Sequence, residues 1–195
     1  LRTHEKINIE NIRFDRWIYG IIQWETRFCE IEKSGGGGLG GGKNGAGRAH
    51  LMGRKAFCEM ASFWPNAGGV LAKPMNEIPK IVFSRKGFDP ALASSAKGWA
   101  DAKVITGDLA EGIMVLKKQP GKDLIAHGGI EFAQNLVQTG LIDEFCIAMH
   151  PVAAGRGFSL FEKLSKPLYL KLIDTKVFST GAMMQVYQPE NLFNK

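Results

Sequence analysis

Three short segments of this chain carry residue types that bind anions, and each follows an apolar run. Gly53-Arg54-Lys55 comes after Ala49 to Met52, Ser84-Arg85 after Lys80 to Phe83, and Gly128-Gly129 after Leu124 to His127. Glycine at a strand-to-helix junction lets a ligand approach the backbone without meeting a Cβ, and the free N–H groups of the helix start point toward it. A guanidinium or ammonium group beside that turn adds charge-assisted hydrogen bonds to phosphate. One such junction alone fits a turn with solvated charges equally well. Three of them, all at the carboxyl ends of expected parallel strands, predict a shared edge that takes a phosphate-bearing ligand.

Other motifs fail on their surroundings. Gly36, Gly38 and Gly41 satisfy G-x-G-x-x-G, but so would any polyglycine run, and the preceding Cys29 to Ser34 is too charged for the apolar strand that a dinucleotide fingerprint needs. Gly37, Gly42 and Lys43 nearly form a P-loop, with Asn44 where a hydroxyl residue would bind Mg²⁺. Ser94-x-x-Lys97 lacks the companion S-D-N and K-T-G triplets, and no G-x-S-x-G places a serine for attack. His4, His50, His127 and His150 lack metal-ligand spacing, so no metal is expected.

Charge and composition narrow the partners. The 25 basic and 19 acidic residues leave +6, spread without the stripe or arm that tracks a nucleic-acid backbone. No run of 18 apolar residues occurs, so no membrane-spanning helix is expected. Cys29, Cys58 and Cys146 are odd in number and widely spaced, as reduced thiols are. The chain begins with Leu, as a trimmed start would, and shows no secretion signal, so the expected location is cytoplasmic.

The elements that must position these junctions form an alternating series. A first strand is expected near Thr3 to Ile9, and Arg16 to Ile31 is aromatic-rich without a clear period. Residues 35–47 contain nine glycines and read either as a flexible surface loop or as letters standing for side chains never identified. From residue 49 onward the expectation is strand 49–52, helix 55–63, loop 66–79, strand 80–83 and strand 103–106. Asp108 with Glu111 three residues later opens a helix in the manner of a capping box. Strand 123–127, a helix from Gly128-Gly129 to Gly140, strand 144–150, an alternating stretch over 168–173 and a last strand 183–187 complete the series. Strand–helix alternation with a hairpin-like end predicts one α/β domain over 1–195, a mostly parallel mixed sheet with antiparallel C-terminal strands.

In this order the pieces resemble the dihydrofolate reductase-like superfamily, and more closely bacterial proteins related to the reductase domain of the bifunctional riboflavin-biosynthesis deaminase/reductase. The carrying segments are Leu51 to Phe57, Phe63-Trp64-Pro65, Lys80 to Arg85, Thr106 to Leu109, Pro120 to Gly129, Gly140 to Glu144, and His150-Pro151-Val152 followed by Gly155-Arg156-Gly157 and Leu160-Phe161. They run nearly continuously from 49 to 189, with only Glu5 to Ile12 echoing the family before that. The resemblance implies a three-layer α/β/α sandwich, NADPH as cofactor and a homodimer. It implies cofactor contacts from Gly53, Arg54, Lys55, Ser84, Arg85, Gly128, Gly129 and Ile130, and substrate contacts near Asn11 and His127. Three departures stand out. Ala56 replaces the usual Thr, Glu10-Asn11 replaces the usual Asp-Gly, and His127 replaces the Glu that riboflavin-pathway reductases carry before G-G. The expected function is therefore an NADPH-dependent reductase acting on a small heterocyclic or carbonyl substrate, pterin- or riboflavin-precursor-like. The alternative is a non-catalytic nucleotide-binding protein of the same fold. Glu10 is the expected proton donor, the other reading being an exposed strand-end carboxylate.

Overall fold

A computed structural model describes residues 7–11, 49–69, 71–121, 123–153 and 157–190, with only the backbone described in the first stretch. The readings placed on 13–48, the glycine tract included, lie outside the described residues. Eight strands and four helices are described: β1 (Ile7–Asn11), β2 (Ala49–Gly53), α1 (Arg54–Phe63), α2 (Ala72–Glu77), β3 (Lys80–Phe83), β4 (Lys103–Ile105), α3 (Leu109–Lys117), β5 (Leu124–Ala126), α4 (Ile130–Gln138), β6 (Glu144–Met149), β7 (Leu170–Val177) and β8 (Met183–Pro189). They form one sheet in the order β4-β3-β2-β5-β1-β6-β8-β7. The six strands from β4 to β6 are mutually parallel, while β8 runs antiparallel to both β6 and β7. The fold is thus the expected α/β arrangement with an antiparallel C-terminal end.

Alternation along the strands sends apolar side chains to both faces, as a covered parallel sheet requires. On one face Leu51, Ile81, Leu124 and Ala126 pack against Ile113 and Leu116 of α3 and Phe132, Leu136 and Val137 of α4. On the other, Met52 and Val82 meet Ala56, Phe57 and Met60 of α1, with Trp64, Met75 and Trp99 around them. Around β6 and β8 this second face continues into a smaller cluster of Cys146, Phe178, Ala182 and Met184.

Two local readings need correction. The stretch 66–79, expected as loop, contains α2, with Met75 buried on the second face. Pro74 occupies its third position, still within the first turn, where a missing N–H breaks no intrahelical bond. The expected strand at 168–173 begins at Leu170 and continues to Val177, because its pairing with β8 runs from Leu170↔Pro189 to Val177↔Met183. The start of α3 follows the expectation: Asp108 Oδ1 accepts from the Glu111 N–H at 2.9 Å.

Candidate functional site

A cleft of about 1290 Å³ opens at the carboxyl ends of the parallel strands, where the starts of α1, α3 and α4 converge. Its floor is aromatic: Phe83 and Phe132 both line it and stack with ring centroids 5.7 Å apart. Its rim is cationic, with Arg54, Lys55, Arg85 and Lys86 set against Glu59, Asp108 and Glu131. Among the described residues Arg54, Lys55 and Arg85 are exposed and have no ion-pair partner.

The helix starts are left open toward this space. The residue before α1 is Gly53 and the residue before α4 is Gly129, and neither offers a side-chain cap to the first-turn N–H groups. No acidic residue stands in the first turn of α1, whereas α4 has Glu131 there. Gly129 has φ +86°, a conformation that side-chain-bearing residues rarely adopt, and an added Cβ would come 3.3 Å from the Ala56 Cβ. Glycine at 129 therefore keeps the two helix starts close together with their backbone accessible. Uncapped N–H groups, local positive charge and a flat apolar floor suit a dinucleotide, whose diphosphate needs the donors and whose rings need the floor.

Of the residues picked out by sequence, Gly53, Arg54, Lys55, Ser84, Arg85, Gly129 and Ile130 all line this one cleft. Gly128 and His127 are buried and do not line it. Glu10 and Asn11 end β1, where Glu10 registers with Cys146 and Asn11 with Ile147 of β6. Their side chains lie outside the described residues.

His127 belongs instead to a buried polar network on the α1 face. It continues the β5 ladder through its N–H to the Leu51 carbonyl, and its ring lies 4.5 Å from that of His50, centroid to centroid. His127 Nε2 is 2.5 Å from His50 Nδ1, and His50 Nε2 is 3.3 Å from the Pro74 carbonyl oxygen. Lys80, in register with His50, donates to the Asn76 carbonyl at 2.7 Å and lies 4.7 Å above the Trp99 ring. Trp99 Nε1 donates to Asn76 Oδ1 at 2.6 Å, and Asn76 Nδ2 donates to the Trp64 carbonyl at 2.9 Å. Burial lowers the Lys80 ammonium to about 8, against the pull of the Asp101 carboxylate. Burial, and secondarily Lys80, lowers His127 to about 4, and burial with the positive charge that His127 would carry holds His50 well below its ordinary value.

Comparison with known proteins places this architecture. The family model of the RibD C-terminal domain matches residues 46–186. The chain belongs to the RibD C-terminal domain family. The Bacillus subtilis (strain 168) protein YyaP is 32% identical over 139 residues, 70% of this chain and 71% of that protein. YwjB of the same organism is 33% identical over 69 residues, covering 35% of this chain and 40% of YwjB. Among solved structures, a Shewanella sp. PV-4 protein named for riboflavin biosynthesis superposes with a TM-score of 0.63 at 19% identity, covering 97% of this chain and all of that one. The deaminase/reductase of Thermotoga maritima gives 0.57 at 11% identity, over 95% of this chain and 57% of the larger protein. This RibD C-terminal domain thus has the fold of riboflavin-pathway reductase-like proteins.

The sequence reading of the domain missed His50, Lys80, Asn76 and Trp99. A signal for the first two was present: each lies in a short run otherwise apolar, and a strand buried on both faces carries every one of its residues inward. Asn76 and Trp99 carry no such signal, because both come from irregular or short segments whose folding depends on distant partners.

Proposed function

We propose that the domain binds NADPH in the cleft and passes hydride to a small heterocyclic or carbonyl-bearing substrate. The observation that carries this reading is the meeting of two uncapped helix starts with three unpaired cations in one cleft. When bound, the nicotinamide supplies the hydride. The chain's part is to hold and orient: first-turn N–H groups of α1 and α4 take the diphosphate, and Phe83 and Phe132 exclude water beneath it. Arg54, Lys55 and Arg85 suit the additional phosphate that distinguishes NADPH from NADH. Isothermal titration tests this directly. NADPH should bind more tightly than NADH, and equal affinities would remove the charge argument. Gly129→Ala should weaken NADPH by about tenfold or more, equivalent to about 1.4 kcal/mol, at a temperature where the variant remains folded.

A second reading, ligand binding without turnover, is favoured by Ala56, which lines the cleft and offers it no hydroxyl. Steady-state NADPH oxidation against pterins, flavin precursors and carbonyl compounds separates the two, since binding without oxidation supports only the second. Pairing with a second copy belongs to the same proposal. It is supported by exposed Leu172, Ile173 and Val177 on the edge strand β7, and sedimentation velocity checks it.

A further inference from the structure

The paired histidines determine which ring nitrogen carries each proton. A carbonyl oxygen only accepts, so His50 Nε2, facing Pro74, carries a hydrogen. Burial and the nearby Lys80 ammonium keep both rings neutral. A neutral His50 protonated at Nε2 has a bare Nδ1, and the His127 Nε2 opposite must donate to it. His127, neutral and protonated at Nε2, is left with a lone pair at Nδ1. Among the described residues nothing donates to that nitrogen, although His127 as a residue is only 6% exposed. A buried acceptor without a donor is costly, and such groups are rare away from functional sites.

Its place in the fold suggests what fills the gap. His127 directly precedes Gly128-Gly129, so it stands one peptide away from the turn that opens onto the cleft. On its other side is β1, where Ile9 registers with Ala126, bringing Glu10 level with His127 one step further on. A molecule reaching past that turn from a cofactor in the cleft would meet His127, which does not itself line the cleft.

We propose that His50 is a positioning residue that locks His127 in its Nε2–H tautomer, leaving Nδ1 to accept a hydrogen bond from an uncharged N–H or O–H donor of the substrate. This rests on the reading of the cleft as the cofactor site. The donor group is uncharged because an ionised carboxylate has no proton to offer, and a cation would be buried close to Lys80. A lactam N–H or a ring amino group has the required chemistry. Sites built to take such a donor reject analogues that lack it, because their own acceptor is then left unpaired.

The test reads the tautomer first, on protein without NADPH. Long-range ¹H–¹⁵N spectra of imidazole-labelled protein should show His127 protonated at Nε2 and bare at Nδ1. His50→Leu, which removes the acceptor, should mix the two tautomers, and His50→Asn, whose carbonyl oxygen can still accept, should restore the wild-type signature. With the protein loaded with NADPH, pterin should shift the Nδ1 resonance, whereas pterin methylated at its lactam nitrogen should bind at least tenfold more weakly. In His50→Leu the preference between these two probes should collapse while NADPH affinity stays within twofold of wild type. A protonated Nδ1 in the wild type, an unchanged tautomer in His50→Leu, or no selective pterin response would each overturn the proposal. Failure of NADPH to bind is read separately by titration and overturns the cofactor assignment, leaving the tautomer result to stand by itself.

Discussion

The two faces of the parallel sheet are built on opposite principles. Under α3 and α4 the core is hydrocarbon and aromatic, and its buried polar side chain among the described residues is the neutral Gln134, which donates to the Ser159 carbonyl at 2.8 Å. Under α1 and α2 the sheet buries His50, Lys80 and His127, tied to the carbonyls of Pro74 and Asn76. Hydrocarbon packing is tolerant and non-directional, so the first face can hold helices but cannot select a ligand's protons. A buried polar network costs desolvation wherever it is incomplete, and for that reason it fixes geometry and protonation together. Undirected packing and a directed hydrogen-bond network thus lie on different sides of one sheet.

The largest expected effect tests the polar face. Gly98 has φ +83°, and a Cβ there would lie 2.3 Å from the Asn76 carbonyl oxygen, the group that accepts from Lys80. Gly98→Ala should cost about 3 kcal/mol or more in urea unfolding, from the backbone conformation and the clash combined. A loss under 1 kcal/mol would show that the network is loose.

Next in size is an acid effect from the same face. Unfolded His127 takes up its proton near pH 6.5, while the folded group resists until about 4. The unfolded state therefore binds more protons across that window, and stability falls as pH drops through it, by on the order of 3 kcal/mol for this one group. His50 shifts in the same direction and adds to the slope. Unfolding curves between pH 7 and 4 should be steep in the wild type and shallower in a His50→Leu/His127→Leu double variant. Identical slopes would mean that these rings are not held neutral.

Smaller effects should come from the apolar face. A Cβ at Gly112 would meet Phe83 Cε1 at 2.9 Å and Ile105 Cγ2 at 3.2 Å. Overpacking of about 2 kcal/mol, offset by about 1 kcal/mol of helix propensity, leaves a net loss of about 1 kcal/mol for Gly112→Ala. Thermal unfolding measures it, and a stabilised variant would show more give beneath α3 than its contacts indicate. Smallest is Lys117, which pairs with Asp143 at 2.6 Å at the partly exposed rim of this face. Lys117→Met should change stability by less than about 1 kcal/mol and lose its effect in high salt.

Much of this was legible in the chain because it is local. The junctions at 53–55, 84–85 and 128–129 are strand ends followed by glycine or cations, and the cleft unites all of them except Gly128 because parallel strands bring their carboxyl ends to one edge. The polar network was illegible because its meaning depends on pairing. His50 and His127 are 77 residues apart and become partners only when β2 and β5 lie side by side. Likewise α2 escaped notice because two prolines and two glycines in 66–79 hide a six-residue helix that the Met75 anchor stabilises.

The near-contact between Gly129 and Ala56 has one more consequence. These residues begin helices on opposite sides of the sheet, and the gap between them is about the thickness of a single methyl group. Bulk added at position 56 would press on the start of α4, whereas the small side chain of Ala56 lets both helix starts line one cleft. The size of residue 56 thus acts as a shim, setting how closely the two helix starts approach each other.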